Sequence, residues 1–299
     1  MPRANKNKEA AIGSQNRTVS PNEAKSALTH CIKLQRPIMM WGAPGIGKSD
    51  IVKQIADAEG REVIDIRLPL WEPTDIKGIP YYNAKENNMV WASPAELPTD
   101  PKSNAIVFLD ELNSAAPAVQ AAAYQLILNR RVGQYHLPKD VSIVAAGNRD
   151  SDKGVTYRMP APLANRFVHV ELRVDFEDWM EWATNQHVHA DVVGYCTFAK
   201  QDLYDFDPRG SSRSFATPRS WSFVSQLLSD DLPESTLTDL VAGCVGEGLA
   251  VKFMNHRKIS GQLPNPSDIL SGKVRDLKSK EISAMYSLTV SLCYELQQA

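Results

Sequence analysis

The chain has 299 residues, of which 43% are hydrophobic and 23% are charged, and its formal net charge at pH 7 is -2. These values are typical of a globular protein with a substantial core. The slightly negative net charge argues against a protein whose whole surface is basic, which is the kind of surface that binds nucleic acid or an anionic membrane. No apolar run approaches the ~20 residues of a membrane span. The cysteines, Cys31, Cys196, Cys244 and Cys293, form no Cys-x-x-Cys pair. This pattern predicts reduced thiols in a cytoplasmic protein rather than a zinc site or a disulfide framework.

The first predicted element along the chain is a helix. Residues 1–17 are basic and polar and lack the apolar stretch of a secretory signal, so we interpret them as a disordered tail. The sequence "SPNE" then offers Ser20 as a helix cap, Pro21 at the first helical position and Glu23 to complete a capping box. The helix should extend to about Gln35.

The segment "GAPGIGKSD" at 42–50 contains the complete pattern Gly-x-x-x-x-Gly-Lys-Ser, for which the alternative is an ordinary glycine-rich turn. It follows a strand-like run at 37–41 and precedes a helical pattern that ends at Gly60, as a phosphate-binding loop requires. In such a loop the glycines let backbone N–H groups point at an anion, and the dipole of the next helix adds to the attraction. Lys48 would reach the terminal phosphates, and the Ser49 hydroxyl would bind Mg²⁺. The predicted nucleotide-binding residues are Gly42, Ala43, Pro44, Gly45, Ile46, Gly47, Lys48, Ser49 and Asp50.

Alternating strand and helix patterns follow this loop. Strand-like runs lie at 62–68, 104–110, 141–148 and 166–174, and an alanine-rich helical pattern lies at 117–131. Strands that alternate with helices predict a parallel sheet covered on both faces. After Asp175 the pattern is helical, with polar loops at 202–214 and 260–268. We therefore predict an α/β domain over 18–175 and a helical domain over 176–299.

An acid pair ends one of the predicted strands. Asp110 and Glu111 follow the apolar run "IVFL", which places them at the carboxyl end of a buried strand, where open α/β sheets bind ligands. Asp110 would hold Mg²⁺ through water, and Glu111 would orient or deprotonate the attacking water. The alternative is an acid pair that merely ends a strand.

Three further residues stand where a nucleotide site could use them. Asn148 ends the strand "SIVAAGN" and could bond both the γ-phosphate and the water, although Gly-Asn is also an ordinary turn pair. Arg166 begins the last predicted strand and could stabilise charge on a neighbouring subunit's phosphate, or could be a surface cation. Arg219 begins a helix of the second domain, where Pro218 is also suited to a plain helix start.

These residues, in this order, resemble the AAA+ ATPases and, within them, the MoxR group. The phosphate-binding loop and "LDELN" are the specific parts of the resemblance, which covers nearly the whole chain from residue 18 onward. It implies a P-loop three-layer αβα domain with a parallel sheet, followed by a smaller all-helical lid domain. It also implies ATP and Mg²⁺ as cofactors, and a homo-oligomeric ring, usually hexameric, with ATP sites between neighbours.

The resemblance implies a role for each candidate residue. The roles are phosphate and Mg²⁺ binding for Lys48 and Ser49, Mg²⁺ binding for Asp110, the catalytic acid for Glu111, the first sensor for Asn148, the finger acting across a subunit boundary for Arg166, and the second sensor for Arg219. One departure is Ser114, since relatives often carry a basic residue there. Arg130 and Arg131 could substitute, although a helix C-terminus also attracts such charges.

The stretch 71–98 resembles the extra hairpin of the MoxR group, and "TDIKG" within it resembles the turn that opens this hairpin. Two short runs on either side of "AKEN" predict the strand pairing. Its aromatic residues, Trp71, Tyr81, Tyr82 and Trp91, could face a ring pore and grip a partner. Alternatively they could cover the hairpin's own face, because aromatic residues favour cross-strand packing.

The predicted function is that of an ATP-hydrolysing, chaperone-like motor that remodels a protein partner. The resemblance implies that the partner is a separate von Willebrand factor A-type protein, because this sequence carries no such module. Two alternatives stay open. One is a nucleic-acid-linked motor, for which Arg257 and Lys258 offer a short basic stretch. The other is a slow nucleotide-dependent binding switch, against which Glu111 argues.

Overall fold

The structure is a computed structural model that describes residues 17–152, 156–230, 232–260, 263–264 and 266–275, with residues 285, 288–289, 292–293 and 296 beyond them. The tail predicted over 1–17 lies outside the described residues, apart from Arg17. The described residues divide into two compact units. One unit comprises those of Met1–Gly42, Lys48–Arg149 and Gly154–Arg173, and the other comprises those of Ala43–Gly47, Asp150–Lys153 and Val174–Ala299.

A parallel sheet organises the first unit. The described strands are β1 (Thr18–Val19), β2 (Ile38–Trp41), β3 (Val63–Arg67), β4 (Ile79–Asn83), β5 (Asn88–Ala92), β6 (Ile106–Asp110), β7 (Arg131–Val132), β8 (Tyr135–His136), β9 (Ser142–Gly147) and β10 (Val168–Leu172). Six of these strands form the sheet, in the order β1–β10–β2–β9–β6–β3, and every neighbouring pair is parallel. The predicted α/β class with a parallel sheet is confirmed.

Helices flank the sheet and make up most of the second unit. The described helices are α1 (Pro21–Lys33), α2 (Lys48–Glu59), α3 (Pro73–Lys77), α4 (Pro117–Asn129), α5 (Ala161–Ala164), α6 (Phe176–Asn185), α7 (Ala190–Phe198), α8 (Pro218–Leu227), α9 (Glu234–Val245), α10 (Glu247–Ser260) and α11 (Pro266–Leu270). Within the described part of the chain, none of these helices has the length and apolar character needed to cross a membrane.

The central strands of the sheet are apolar throughout because both of their faces are covered. Val107 and Leu109 of β6 lie in one cluster with Val119 and Ala122 of α4. The alternate residues of β6 are equally buried and point to the opposite face, and α1 and α2 contact the strands of the sheet. The sheet thus lies between two helical layers, which explains why β6 and β9 read as continuous apolar runs rather than as alternating ones.

The capping box predicted for the first helix is present. The Ser20 hydroxyl accepts a hydrogen bond from the Glu23 N–H at 3.4 Å, and the Glu23 carboxylate accepts one from the Ser20 N–H at 2.8 Å. Two N–H groups that the helix itself cannot satisfy are therefore paired. Pro21 occupies the first turn, as expected, and the helix ends at Lys33.

Arg61 braces the amino ends of three strands. It lies two residues before β3, and its guanidinium donates to Asn104 O at 2.6 Å, to Asp140 O at 3.3 Å and to Ser142 Oγ at 2.9 Å. Asn104 precedes β6, and Ser142 begins β9. One planar, multiply donating side chain thus joins segments that are far apart in the sequence.

The second unit has its own core, which is built around large aromatic side chains. Tyr195, Trp221 and Phe253 are almost fully buried, and their ring centroids lie 5.3–5.6 Å apart. Asp202 satisfies the polar groups of this cluster. Its carboxylate accepts from the Tyr195 hydroxyl at 2.6 Å, and its carbonyl oxygen accepts from the Trp221 indole N–H at 2.9 Å. A buried carboxylate with hydrogen-bonded neighbours is tolerated, whereas an isolated buried carboxylate would cost far more than an unpaired neutral polar group.

Several predicted boundaries are wrong in detail. Arg166 does not begin a strand: it lies in the turn after α5, two residues before β10. "TDIKG" is not a simple turn, because its first four residues lie in the short helix α3. The loop predicted over 260–268 includes the start of α11 at Pro266. The helix predicted to end at Arg131 ends at Asn129, since Arg130 adopts a left-handed backbone conformation with φ 52°.

Candidate functional site

Three neighbouring strands bring candidate residues of the first unit to one edge of the sheet. β2, β9 and β6 are adjacent and parallel, so their carboxyl ends share an edge. The phosphate-binding loop begins after β2 at Gly42, Asn148 follows β9, and Asp110 ends β6. The Gly42 N–H donates to the carbonyl oxygen of Gly147 at 3.2 Å, which extends the pairing of β2 with β9 by one residue.

Lys48 is held directly against Asn148 at this edge. Lys48 is the first residue of α2, and its Nζ donates to the carbonyl oxygen of Gly42 at 2.7 Å and to Asn148 Oδ1 at 3.1 Å. The ammonium group is thus fixed between the end of β2 and the end of β9. Two candidate residues that lie 100 positions apart in the sequence are therefore in contact.

The glycines of the phosphate-binding loop have the backbone conformation that the motif requires. Residues Ala43–Gly47 belong to the second unit, and Gly45 and Gly47 have φ values of 74° and 90°. A Cβ at Gly45 would come within 2.6 Å of Thr217 Oγ1, and the Arg219 N–H donates to Gly45 O at 3.2 Å. At Gly47 the position of a Cβ is open. Positive φ at these positions is the backbone of an anion-binding concavity, which fits a phosphate group.

The acid pair has an unusual backbone. Asp110 is half-buried at the end of β6, and one of its carboxylate oxygens accepts from the Glu111 N–H at 2.9 Å. Glu111 is exposed and adopts the left-handed conformation, with φ 53° and ψ 37°. This conformation costs a non-glycine residue about 1–3 kcal/mol and is concentrated at functional sites, where it aims a side chain.

The donor groups at this edge suit magnesium. Ser49 and Asp110 offer a hydroxyl and a carboxylate, and Mg²⁺ prefers oxygen ligands. Among the described residues, no group of three or more His, Cys, Asp or Glu side chains could hold a metal ion alone. Magnesium is commonly bound by one or two protein oxygens together with substrate phosphates, so the residues present fit that mode.

A second carboxylate near Asp110 did not stand out in the sequence. Asp65 lies on β3, the strand next to β6, and its pKa is raised, first by loss of hydration and then by the charge of Asp110. Arg67 and Lys53 partly offset this shift. The interaction is visible only once the two strands are paired, because Asp65 and Asp110 are distant in the sequence.

Both candidate arginines are exposed. Arg166 lies in the turn between α5 and β10, and no described residue forms a hydrogen bond or ion pair with its guanidinium. Arg219 lies in the first turn of α8, and its guanidinium likewise has no such partner in the described part of the chain. Arg166 therefore has no polar contact with Lys48, Asn148 or Asp110 of the same chain.

Two groups of hydrogen bonds in the first unit involve residues to which the sequence assigned no role. Asn113, which is buried, bonds to the backbone of Asn148 through both atoms of its side-chain amide. The Trp41 indole N–H donates to His169 Nδ1 at 2.9 Å, and His169 Nε2 lies 2.8 Å from Ala164 O. This second chain of contacts joins the end of β2 to the helix that precedes Arg166. The "LDELN" motif was the available signal for Asn113, whereas no local signal marks Trp41 or His169.

The aromatic residues of the predicted hairpin have divergent environments. The hairpin is present as β4–β5, in which Tyr81 and Tyr82 are 51% and 62% exposed. Trp71 packs against the core of the first unit, and Trp91 lies beside Gly133, its ring 3.7 Å from the position that a Cβ would occupy there. The two tyrosine side chains are therefore exposed on the hairpin, whereas the two tryptophan side chains pack against other parts of the first unit.

Arg130 has a structural task. Its guanidinium donates to the carbonyl oxygens of Pro138 and Val141, both at 2.7 Å, and burial lowers its pKa. These bonds hold the segment between β8 and β9. Arg131 begins β7 and is exposed, whereas Arg130 is half-buried and its guanidinium is engaged by these carbonyl groups.

The part of the chain that contains most of the sheet and the candidate site is similar to known proteins. Residues 37–167 match the AAA domain of the dynein-related subfamily. Midasin of Giardia intestinalis is 28% identical over 186 residues, which are 59% of this chain and 4% of that protein. Midasin of Dictyostelium discoideum is 25% identical over 167 residues, which are 50% of this chain and 3% of that protein. A solved structure of the Thermotoga maritima RuvB Holliday junction branch migration motor aligns with 93% of this chain and 86% of its own at 17% identity, with a TM-score of 0.43.

The AAA domain agrees with the AAA+ resemblance that the motifs indicated, while the narrower MoxR assignment stays a prediction. The matched segment includes the phosphate-binding loop, the acid pair, Asn148 and Arg166, whereas Arg219 lies outside it. This chain spans only 3–4% of the length of the midasins it matches.

Proposed function

We propose that this chain is an ATP-hydrolysing AAA+ motor of the MoxR type that assembles as a ring and remodels a protein partner. One observation carries the proposal: the Lys48 ammonium lies 3.1 Å from Asn148 Oδ1 at the edge where β6 ends in the acid pair. A cation, an amide and two carboxylates at the carboxyl edge of a parallel sheet are the groups that phosphoryl transfer to water requires.

The proposed division of labour follows from the chemistry of each group. Lys48 and the loop N–H groups bind the phosphates of ATP, while Ser49 and Asp110 hold Mg²⁺. When bound, Mg²⁺ neutralises charge on the phosphate oxygens. Glu111 orients the attacking water and accepts its proton, and the side-chain amide of Asn148 bonds to the γ-phosphate.

The ring is supported by the exposure of Arg166. Since its guanidinium has no partner among the described residues, it is available to a phosphate held by a neighbouring subunit. An arginine supplied in this way can contribute a factor on the order of 10³–10⁵ in rate. We propose Arg219 as the second sensor, acting on the nucleotide of its own subunit, with six subunits as the expected ring.

The MoxR assignment is supported by the hairpin β4–β5, which lies between β3 and the acid-bearing strand β6 as expected. The exposed tyrosines Tyr81 and Tyr82 offer the hairpin a means of gripping a polypeptide. We propose a von Willebrand factor A-type protein as the separate partner. The case for a nucleic-acid substrate is weaker, because the two cations of the basic stretch, Arg257 and Lys258, are paired with Asp191 and Glu234, at 2.8 Å and 2.7 Å.

Two substitutions test the proposed function. Lys48→Ala should abolish binding of a fluorescent ATP analogue, because it removes the side-chain cation of the loop. Glu111→Gln should bind ATP yet release phosphate at a rate at least ~10²-fold below wild type, since it keeps the shape and loses the base. Lys53→Ala, which removes an exposed cation from the same helix, is the matched control. It should leave both ATP binding and the rate of phosphate release at wild-type values.

The outcomes separate the alternatives. Wild-type turnover by Glu111→Gln would contradict the assignment of the base. Stimulation of the wild-type rate by DNA, with none by protein partners, would favour the nucleic-acid motor. Tight ATP binding with negligible turnover, even with partner present, would favour a binding switch.

A further inference from the structure

The strongest feature outside the assigned residues is Asn113. It lies three residues after Asp110, in a short 3₁₀ helix spanning Leu112–Ser114, and its relative exposure is 1%. Burying a primary amide is unfavourable unless its polar atoms are hydrogen-bonded. The position of this side chain is therefore set by its bonding partners rather than by solvation.

Both polar atoms of the Asn113 side chain bond to the backbone of one residue. Nδ2 donates to the carbonyl oxygen of Asn148 at 2.8 Å, and Oδ1 accepts from the Asn148 N–H at 3.2 Å. A side-chain amide that engages both backbone groups of one residue acts as a strand partner would, just beyond the end of β9. The backbone of Asn113 is itself tied down, since its carbonyl oxygen accepts from the Tyr157 N–H at 2.6 Å.

The residue before Asn148 is glycine because Asn113 lies so close. A Cβ added at Gly147 would overlap Asn113 Oδ1 and would come within 2.6 Å of Met39 Cε. The Gly-Asn pair that resembled an ordinary turn in the sequence is thus the complement of a buried amide. The missing side chain of Gly147 makes space for the Asn113 amide, and the backbone of Asn148 forms the hydrogen bonds with it.

These contacts form a continuous path from the acid pair to the lysine. Asn113 follows Asp110 and Glu111 on the same short segment, it fixes the backbone of Asn148, and the Asn148 side chain accepts from Lys48 Nζ at 3.1 Å. We propose that Asn113 is a positioning residue. It holds Asn148 at the distance from Lys48 that sensing of the γ-phosphate requires, and it couples that sensor to the segment carrying Glu111. The proposal rests on the proposed function, because it assigns Asn113 a task in that same site.

Four variants test this role. Asn113→Ala removes both bonds, Asn148→Ala removes the sensor amide but keeps the backbone groups, and the double variant combines them. Gln120→Leu is the matched control, because Gln120 is also a buried amide in this unit but donates to Ala115 O at 3.0 Å rather than to Asn148. We expect Asn113→Ala to lower kcat by about 10–100-fold with little change in KM, since a displaced sensor misplaces the reacting groups. The double variant should be no slower than Asn148→Ala.

A second measurement separates this proposal from the proposed function. The ratio of ATP to ADP affinity, measured with fluorescent analogues, reports γ-phosphate sensing without hydrolysis. Asn113→Ala should reduce this ratio as Asn148→Ala does, and Gln120→Leu should leave it unchanged. Wild-type protein that does not hydrolyse ATP would contradict the proposed motor function. If the ratio of ATP to ADP affinity still falls in Asn113→Ala, the positioning role of Asn113 is supported all the same. If the wild-type protein binds no nucleotide, both fail.

Two outcomes would overturn the role of Asn113. One is a loss of stability like that of Gln120→Leu, with kcat and the affinity ratio both at wild-type values. The other is a double variant in which the two rate losses multiply, because independent effects mean that Asn113 does not act through Asn148. If Asn113→Ala does not fold, Asn113→Ser provides the same test. Its side chain is neutral and too short to bond both backbone groups of Asn148 as the amide does.

Discussion

At the scale of single residues, the site contains close approaches that leave no room for an added atom unless its neighbours shift, and Gly147 is a clear case. Gly147→Ala should lower the free energy of unfolding by about 1–3 kcal/mol, because its methyl group would overlap Asn113 Oδ1 and crowd Met39. Urea denaturation followed by circular dichroism measures the change. Gly243→Ala is the control: this glycine is exposed in α9 with open space around it, so alanine should stabilise the helix by up to ~1 kcal/mol. Equal stabilities of Gly147→Ala and wild type would contradict the packing described for Asn113.

A second residue-scale prediction concerns pH. His256 is buried beside Tyr195 and Phe198, and neither of its ring nitrogens has a hydrogen-bond partner among the described residues. Burial lowers the pKa of His256 below its ordinary value of 6.5, and the charge of Asp191 offsets this only in part. Because the unfolded chain then binds the proton more readily, the free energy of unfolding should fall as pH drops below 6.5, until the folded pKa is reached.

Replacing the imidazole tests this sign. His256→Phe keeps a ring among its aromatic neighbours and has no proton to bind, so its stability should lose this component of the pH dependence. Urea denaturation midpoints between pH 5 and pH 8, compared for wild type and variant, isolate the contribution of His256. Parallel pH profiles for the two proteins would show that the buried imidazole titrates no differently from an exposed one.

At the scale of elements, the start of α8 packs against the phosphate-binding loop within the second unit. The Thr217 hydroxyl accepts from the Ser220 N–H at 3.1 Å, the Ser220 hydroxyl accepts from the Thr217 N–H at 2.8 Å, and the Thr217 side chain packs on Gly45. Thr217→Ala should therefore cost about 1 kcal/mol of stability through the lost cap, and should also weaken nucleotide binding.

The capping box of α1 provides the matched control for that prediction. Ser20→Ala removes the same kind of cap from a helix in the first unit, so it should cost a similar ~1 kcal/mol while leaving nucleotide affinity unchanged. Thermal denaturation and titration with a fluorescent nucleotide measure the two effects separately. If both variants bind nucleotide as wild type does, the contact between Thr217 and Gly45 has no bearing on the loop.

The elements that could be predicted from sequence are those whose signals are local. β2, β6 and β9 are apolar runs bounded by turn residues, and α1 carries a capping box, so each is predicted to within a few residues. Strands β7 and β8 have two residues each, too few for any periodicity to appear. Helix α5 has four residues, which are also too few for a periodicity to appear. The strand predicted over 166–174 from its alternating pattern therefore begins two residues too early, in the turn that carries Arg166.

The residues of the candidate site likewise fall into those that local sequence signals predict and those that they do not. Lys48, Ser49, Asp110 and Glu111 lie in contiguous motifs whose chemistry can be read from residue spacing. Asn113 could not be assigned a task, since its partner Asn148 lies 35 residues away and the contact exists only when β6 and β9 pair. The order of strands in the sheet depends on such long-range packing, so the sequence indicated a parallel sheet without indicating which strands adjoin.

At the scale of the whole molecule, the proposed ring predicts complementation between inactive subunits. Arg166→Ala and Lys48→Ala should each abolish hydrolysis alone, but a mixed ring can place an intact Lys48 beside an intact Arg166 and so recover activity. Mixing Arg219→Ala with Lys48→Ala should recover none, because both defects lie in each subunit's own site. Phosphate release is measured after light scattering has confirmed assembly with ATP and Mg²⁺. Equal recovery in both mixtures would refute the assignment of Arg166 to a neighbour's nucleotide.

Arg61 forms its hydrogen bonds at the amino ends of the strands, yet these bonds also affect the carboxyl ends, where the candidate site lies. If β6 slipped by one residue against β3, Asp110 would move by about 3.3 Å and its side chain would turn to the other face, and the same slip in β9 would displace Asn148. Arg61 bonds to Asn104, just before β6, and to Ser142, the first residue of β9, so either slip would break its hydrogen bonds. Because β6 and β9 are only five and six residues long, fixing Asn104 and Ser142 at their amino ends also restrains their last residues. The alignment of the acid with the amide is thus set by an arginine a full strand length away.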